Sequence, residues 1–251
     1  MTTLRHKTGS VISALWRLQN QPLTKRVQVL MYHSIGGVAV GDQTGLYSIT
    51  QESFSRQMNL LKELQTGGSV KVVPFGLETP GSISITFDDG YRDNLFVVAP
   101  LLEQLGFPFH IFLNPDLIES RSPGFLAPQE VRSLANHPLV TLGLHGRSHQ
   151  PLTSLSDEAL QTELRDAQNW FSQQTDVPAT SISYPHGSVN DRVVSEVKNS
   201  GFSRAACSKF GPIESHSDRF RIPRIDIWSS DSDHSFLGKI YGRWDWMKWR
   251  T

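Results

Sequence analysis

The chain has 251 residues, long enough for one large α/β domain, and no Pro, Gly or Ser linker divides it. Lys plus Arg and Asp plus Glu both number 24, so there is neither net charge nor a basic block to track a phosphate backbone, and nucleic acid is excluded as an expected partner. A single cysteine, Cys207, excludes a disulfide framework and a thiolate metal site, so any bound metal must be held by His, Asp and Glu.

The amino-terminal run up to Arg26 reads as an extension to a domain spanning 27–251. Its apolar stretch from Val11 to Leu18 is short and broken by Ser13 and Arg17, a poor fit to a leader or spanning helix. It could form an amphipathic helix packed on the domain or on a membrane surface, so membrane association stays open. A cytoplasmic location is the expectation.

From Val27 short β-rich runs alternate with helical patterns. "VQVLMY" is followed by "TQESFSRQMNLLKEL", where Phe54, Met58, Leu61 and Leu64 recur at helical spacing behind a Thr50 cap. "VKVV" and "SISITF" come next, then an apolar helical stretch near 95–105, "FHIFL", a looped region and a short helix near 129–135. "LVTLGL" leads into "SDEALQTELRDAQNWF", an amphipathic helix with Ser156 as cap and Asp157 and Glu158 in its first turn. "SISY", a helix over 191–200, "SRAAC" and "RIDI" complete about seven or eight β segments, while "SSDSDHSF" reads as a polar loop. Repeated β-then-α units imply parallel strands with helices outside, and such folds gather reactive groups at the carboxyl ends of strands.

That is where the chemistry-bearing residues fall. Asp88 and Asp89 end "SISITFDDG", and an unpartnered buried carboxylate costs several kcal/mol, so the fold must compensate both. His145 and His149 stand four apart in "LHGRSHQP", where Gly146 and Pro151 favour a tight loop that can turn both imidazoles to one point. Two imidazoles and one carboxylate make a three-ligand catalytic metal site, and the second carboxylate is then free to act as a base. Tyr91, Tyr184, Trp228 and the cluster "RWDWMKW" offer aromatic surface of the kind on which sugar rings stack.

"TFDDG" at 86–90, "HGRSH" at 145–149 and "SYPHG" at 183–187 together resemble the polysaccharide deacetylase family, the NodB-like carbohydrate esterase family 4. The resemblance implies a distorted (β/α)7-type barrel, one divalent metal (zinc first, cobalt or nickel next) and removal of an acetyl group from an N-acetylated, less often O-acetylated, sugar or polysaccharide precursor. It implies Asp89, His145 and His149 as ligands, Asp88 as base and the His186 backbone N–H as oxyanion donor. The third-motif arginine that steadies the base in many members is replaced by Ser183; Arg221 and Arg224 of "RFRIPRIDI" are the alternatives, Arg224 preferred. The usual late histidine that supplies the acid is not recognisable, although His234 lies nearby. "VLMYHSI" resembles instead the opening strand of the permuted, exopolysaccharide-type members, which implies His33 as general acid. A carbohydrate-binding barrel without turnover is the alternative, supported by the missing arginine.

Overall fold

The computed structural model describes residues 22–39 and 41–249, so the helix suggested for 11–18 lies outside the described residues. The strands, in chain order, are β1 (Val27–Tyr32), β2 (Ser34–Ile35), β3 (Ser48–Ile49), β4 (Lys71–Val72), β5 (Ser82–Phe87), β6 (Phe109–Leu113), β7 (Val140–Leu144), β8 (Ser181–Ser183), β9 (Arg204–Phe210) and β10 (Ile222–Asp226). The α-helices are α1 (Gln51–Thr66), α2 (Ala99–Leu105), α3 (Pro115–Glu119), α4 (Pro128–Ala135), α5 (Asp157–Thr175), α6 (Asp191–Asn199) and α7 (Asp233–Ile240). Leu23 and Arg26, just before β1, already belong to the domain: Leu23 is buried in its core and Arg26 pairs with Asp245 at 2.9 Å.

Every pairing in the main sheet is parallel, and β1 pairs with both β5 and β10, so seven strands close into a ring, the (β/α)7-type barrel anticipated above. The ring is uneven at one seam. There β4 pairs with the first two residues of β5, at Ser82 and Ile83, while β6 pairs with the last two, at Thr86 and Phe87.

Side-chain alternation along the strands divides the molecule into two interiors. Ile83, Ile85 and Phe87 of β5, Ile111 and Leu113 of β6, and Ile225 of β10 point outward into the main core shared with the helices. Helices are anchored there by regular stripes, for example Leu160, Leu164, Ala167, Trp170 and Phe171 on α5. Each fully buried Leu or Phe in such a stripe contributes about 1.5–3 kcal/mol. Inside the ring a small apolar plug of Val29, Phe75, Phe112, Ala206 and Ile222 sits below a polar layer containing Thr86, Ser183 and Arg224. Asp88 continues the inward alternation of Ser82, Ser84 and Thr86, which places it at the carboxyl-end mouth of the barrel.

Two of the α-helices differ from the sequence reading. The looped region after β6 contains the short helix α3, begun by an Asn114 side chain that accepts from Leu117 N–H. The run "SSDSDHSF" is a loop only as far as Ser232, whose hydroxyl caps α7; residues that favour polar turns are also the residues that start helices. Among the described residues no helix is long and apolar enough to cross a membrane.

Candidate active site

Asp88 is 2% exposed, and the residue that compensates it is Arg224. The guanidinium, wholly buried, grips both carboxylate oxygens at 2.7 Å. Its other donors reach Cys207 O at 3.1 Å, Thr86 Oγ1 at 3.3 Å and Ser183 Oγ at 2.7 Å, so all five N–H groups are used. Ser183 donates in turn to Asp88 Oδ2 at 3.2 Å. Burial alone would raise the Asp88 carboxyl, but Arg224, with help from His145, outweighs it and holds the group well below the usual carboxylate range. Arg221, the other candidate, pairs with Asp191 and Asp218 on the exterior.

Asp89 has the opposite surroundings. It follows the strand with a left-handed φ of 74°, which swings its carboxylate beside that of Asp88 toward the histidine loop. Its buried Oδ1 lies 3.4 Å from His145 Nε2 and 3.2 Å from His149 Nε2 yet has no hydrogen-bond partner. One ligand atom each from Asp89, His145 and His149 lies within 4.8 Å of the others. His145 Nδ1 donates to Ser183 O at 3.0 Å, which leaves the Nε2 lone pair directed at that point, and burial lowers the imidazole to about 4, so it is neutral near pH 7. For His149 burial is outweighed by Asp89, which raises its pKa. An orphaned buried oxygen faced by two imidazole nitrogens suits a divalent cation bound by one carboxylate and two histidines.

His33 follows β1 and lines the same cavity of about 510 Å³, as do Asp88, Tyr47 and Ser208. Its ring lies 4.4 Å from that of Tyr47, and its buried Nδ1 has no hydrogen-bond partner. His186 adopts a left-handed φ of 57°, and its exposed ring donates from Nε2 to His149 O at 3.0 Å. Three of the site residues, Asp89, His149 and His186, therefore hold backbone conformations that non-glycine residues seldom adopt, strain of the kind that collects at functional sites. His234 stands exposed on α7 and is not among the residues lining this cavity.

The aromatic expectations need correction. Tyr184 is fully buried in the main core with its hydroxyl on Phe220 O at 2.9 Å; it alternates outward from inward-facing Ser183 and cannot meet a substrate. Tyr91 lines the cavity, but its ring face is covered by Phe125 at 4.9 Å. Trp228, Trp244 and Trp246 pack on one another, with the Lys239 ammonium 3.8 Å above the Trp228 ring.

Asp226 was missed by sequence reasoning. It lies two residues beyond Arg224 on the inward face of β10, and its buried Oδ1 has no hydrogen-bond partner. Burial raises its carboxyl to about 6 against the pull of Lys239, His33 and Arg224. The period-two alternation of "RIDI", which sets Asp226 on the same face as Arg224, contains the signal that would have found it. A larger cavity of about 830 Å³ opens at the amino ends of the strands, around Arg26, Arg204 and Glu214, on the opposite side from these groups.

The family model described as polysaccharide deacetylase matches residues 77–205, just over half of the chain. A candidate polysaccharide deacetylase of Bacillus subtilis (strain 168), YxkH, is 24% identical over 217 residues, covering 84% of this chain and 75% of its own. Among solved structures, the Streptococcus pyogenes deacetylase PplD, in complex with acetate, superposes with a TM-score of 0.75 at 19% identity, covering 86% of this chain and 98% of that one. IcaB from Ammonifex degensii gives 0.69 at 16% identity, covering 89% and 97%. These structural likenesses are likenesses of fold.

Proposed function

The chain belongs to the polysaccharide deacetylase family, and from that premise and the geometry of its site we propose that it is a metal-dependent hydrolase removing the acetyl group from an N-acetylated amino sugar, in a polymer, an oligomer or a precursor. One observation carries the reading: a buried carboxylate oxygen of Asp89 without a hydrogen-bond partner faces two imidazole nitrogens, next to a second carboxylate fully clamped by an arginine.

Asp89, His145 and His149 would hold the ion, for which zinc suits the nitrogen-rich donor set and cobalt or nickel fit as well. When bound, it supplies Lewis-acid polarisation of the acetyl carbonyl and of water. Asp88, kept ionised by Arg224, accepts the proton of the attacking water. An amide anion is a poor leaving group, so the departing amine needs a proton donor; His33, which lines the same cavity, is assigned that role. The backbone N–H of His186 is assigned to the oxyanion.

The alternative, a binding barrel without turnover, drew its support from the missing third-motif arginine. Arg224 makes the expected contact to Asp88 from β10, while Ser183, in the old position, completes it. The test is acetate release from N-acetylglucosamine oligomers, peptidoglycan fragments and nucleotide sugars, with and without a chelator. The reading predicts release from at least one acetamido sugar, abolished by the chelator and restored by zinc or cobalt. Ion-loaded protein that releases no acetate from any of these substrates contradicts it.

A further inference from the structure

Two metal ligands carried on one five-residue loop require that loop to be held, and its own polar groups show by what. His145 N–H donates to Leu113 O at 2.7 Å, His145 O accepts from Asn114 Nδ2 at 2.9 Å, and Arg147 O accepts from Asp116 N–H at 3.1 Å. The two amide N–H groups in the middle of the loop reach a different element. Arg147 N–H and Ser148 N–H donate at 2.7 and 2.8 Å to one oxygen, Oε1 of Glu163 on α5, and the Ser148 hydroxyl donates to the same oxygen at 3.1 Å.

Glu163 is 8% exposed, unusual for a carboxylate in the middle of an amphipathic helix, and none of the ion pairs of the described residues involves it. The loop fits closely over it. Gly146, at φ 64°, has its backbone so near that an added Cβ would lie 3.2 Å from Glu163 Oε1 and 3.0 Å from Pro185, and this compression precedes the left-handed turn at His149.

We propose that Glu163 is a positioning residue for the metal site: by gathering three donors on one oxygen it fixes the path from His145 to His149 and thereby sets how tightly the site holds its ion. Its hydrogen bonds go to the loop backbone and the Ser148 hydroxyl, not to either ligand side chain. The inference rests on the three-ligand reading above. Outer partners of metal ligands commonly change affinity 10–100-fold when removed, and a charged acceptor binds N–H groups more strongly than a neutral one.

The test uses the full chain and measures Zn2+ and Co2+ affinity by competition with a chromophoric chelator, together with the Co2+ visible spectrum and the melting temperature of metal-free protein. E163A is expected to bind either ion about 10–100-fold more weakly, with an altered Co2+ spectrum. E163Q, which keeps the shape and one acceptor oxygen, is expected to fall between the two, with the wild-type spectrum. It decides the matter if E163A does not fold. Wild-type affinity in E163Q, or a lowered melting temperature with unchanged affinity and spectrum in E163A, overturns the proposal and leaves Glu163 a structural residue. A wild-type protein that binds neither ion overturns the three-ligand reading itself.

Discussion

The mouth of the barrel is built from two sides that treat charge in opposite ways. Strands β8 to β10 contribute donors: Arg224 and Ser183 place two donors on Asp88 Oδ2 and one on Oδ1, which hold the carboxylate ionised and leave Oδ1 able to accept a proton. Strands β5 to β7 contribute acceptors, and at their ends Asp89 Oδ1 and two imidazole Nε2 atoms face one another with no donor on the oxygen. Adjacent aspartates thus differ because the walls they face differ. On the proposed reading, the carboxylate assigned as base has protein counter-charge, and the one assigned to a cation has other lone pairs instead.

Removing the donor wall should have the largest effect. Arg224→Met leaves a buried carboxylate without its partner, and breaking such a pair commonly destabilises by about 3–5 kcal/mol. The sign follows from linkage: a depressed folded pKa adds stability that is present at neutral pH and lost as pH falls through the acid range, so the deficit of the variant should shrink on acidification. Urea unfolding at pH 7 and at pH 2, below the usual carboxylate range, measures it; a deficit independent of pH would mean that Arg224 contributes packing rather than charge.

The next effect concerns a residue lining the same cavity. His33→Ala is expected to keep the fold and the ion while turnover falls roughly 100-fold or more, the scale of lost general acid catalysis, and His234→Ala to match wild type. Steady-state rates and metal content on one acetamido substrate separate the two, and the reverse ranking would move the acid to the late histidine.

The smallest effect concerns Asp226. With its folded carboxyl near 6 and an unfolded value of about 4, the folded state holds the proton more tightly, so stability declines as pH rises between those values. Asp226→Asn should remove that decline and gain relative to wild type from pH 5 to pH 7. Parallel stability–pH curves for the two proteins would show that Asp226 is not the group responsible.

What could be read from the sequence followed from how local the signal was. Asp88 and Asp89 stand at the end of an alternating run, and His145 and His149 share one tight loop, so a few residues specify each. The partner of Asp88 lies 136 residues away on another strand, and nothing local distinguished Arg224 from Arg221 beyond its place beside Pro223. Glu163 looks like any polar residue of an amphipathic helix until the loop is laid across it. Tyr184 was misjudged because a strand of only three residues, Ser181–Ser183, gives too short an alternation to show which way the next side chain points. α7 was hidden by a Ser- and Asp-rich start that suits a turn equally well.

The division of labour between the two walls is tested most directly by metal content and turnover of Asp88→Asn and Asp89→Asn measured side by side. The account predicts that Asp89→Asn loses the ion and with it activity, whereas Asp88→Asn retains about one ion per chain and loses turnover by roughly 100-fold or more. Equal metal loss in both variants, or an Asp88→Asn protein that turns over normally, would contradict the assignment of one aspartate to the cation and the other to the proton.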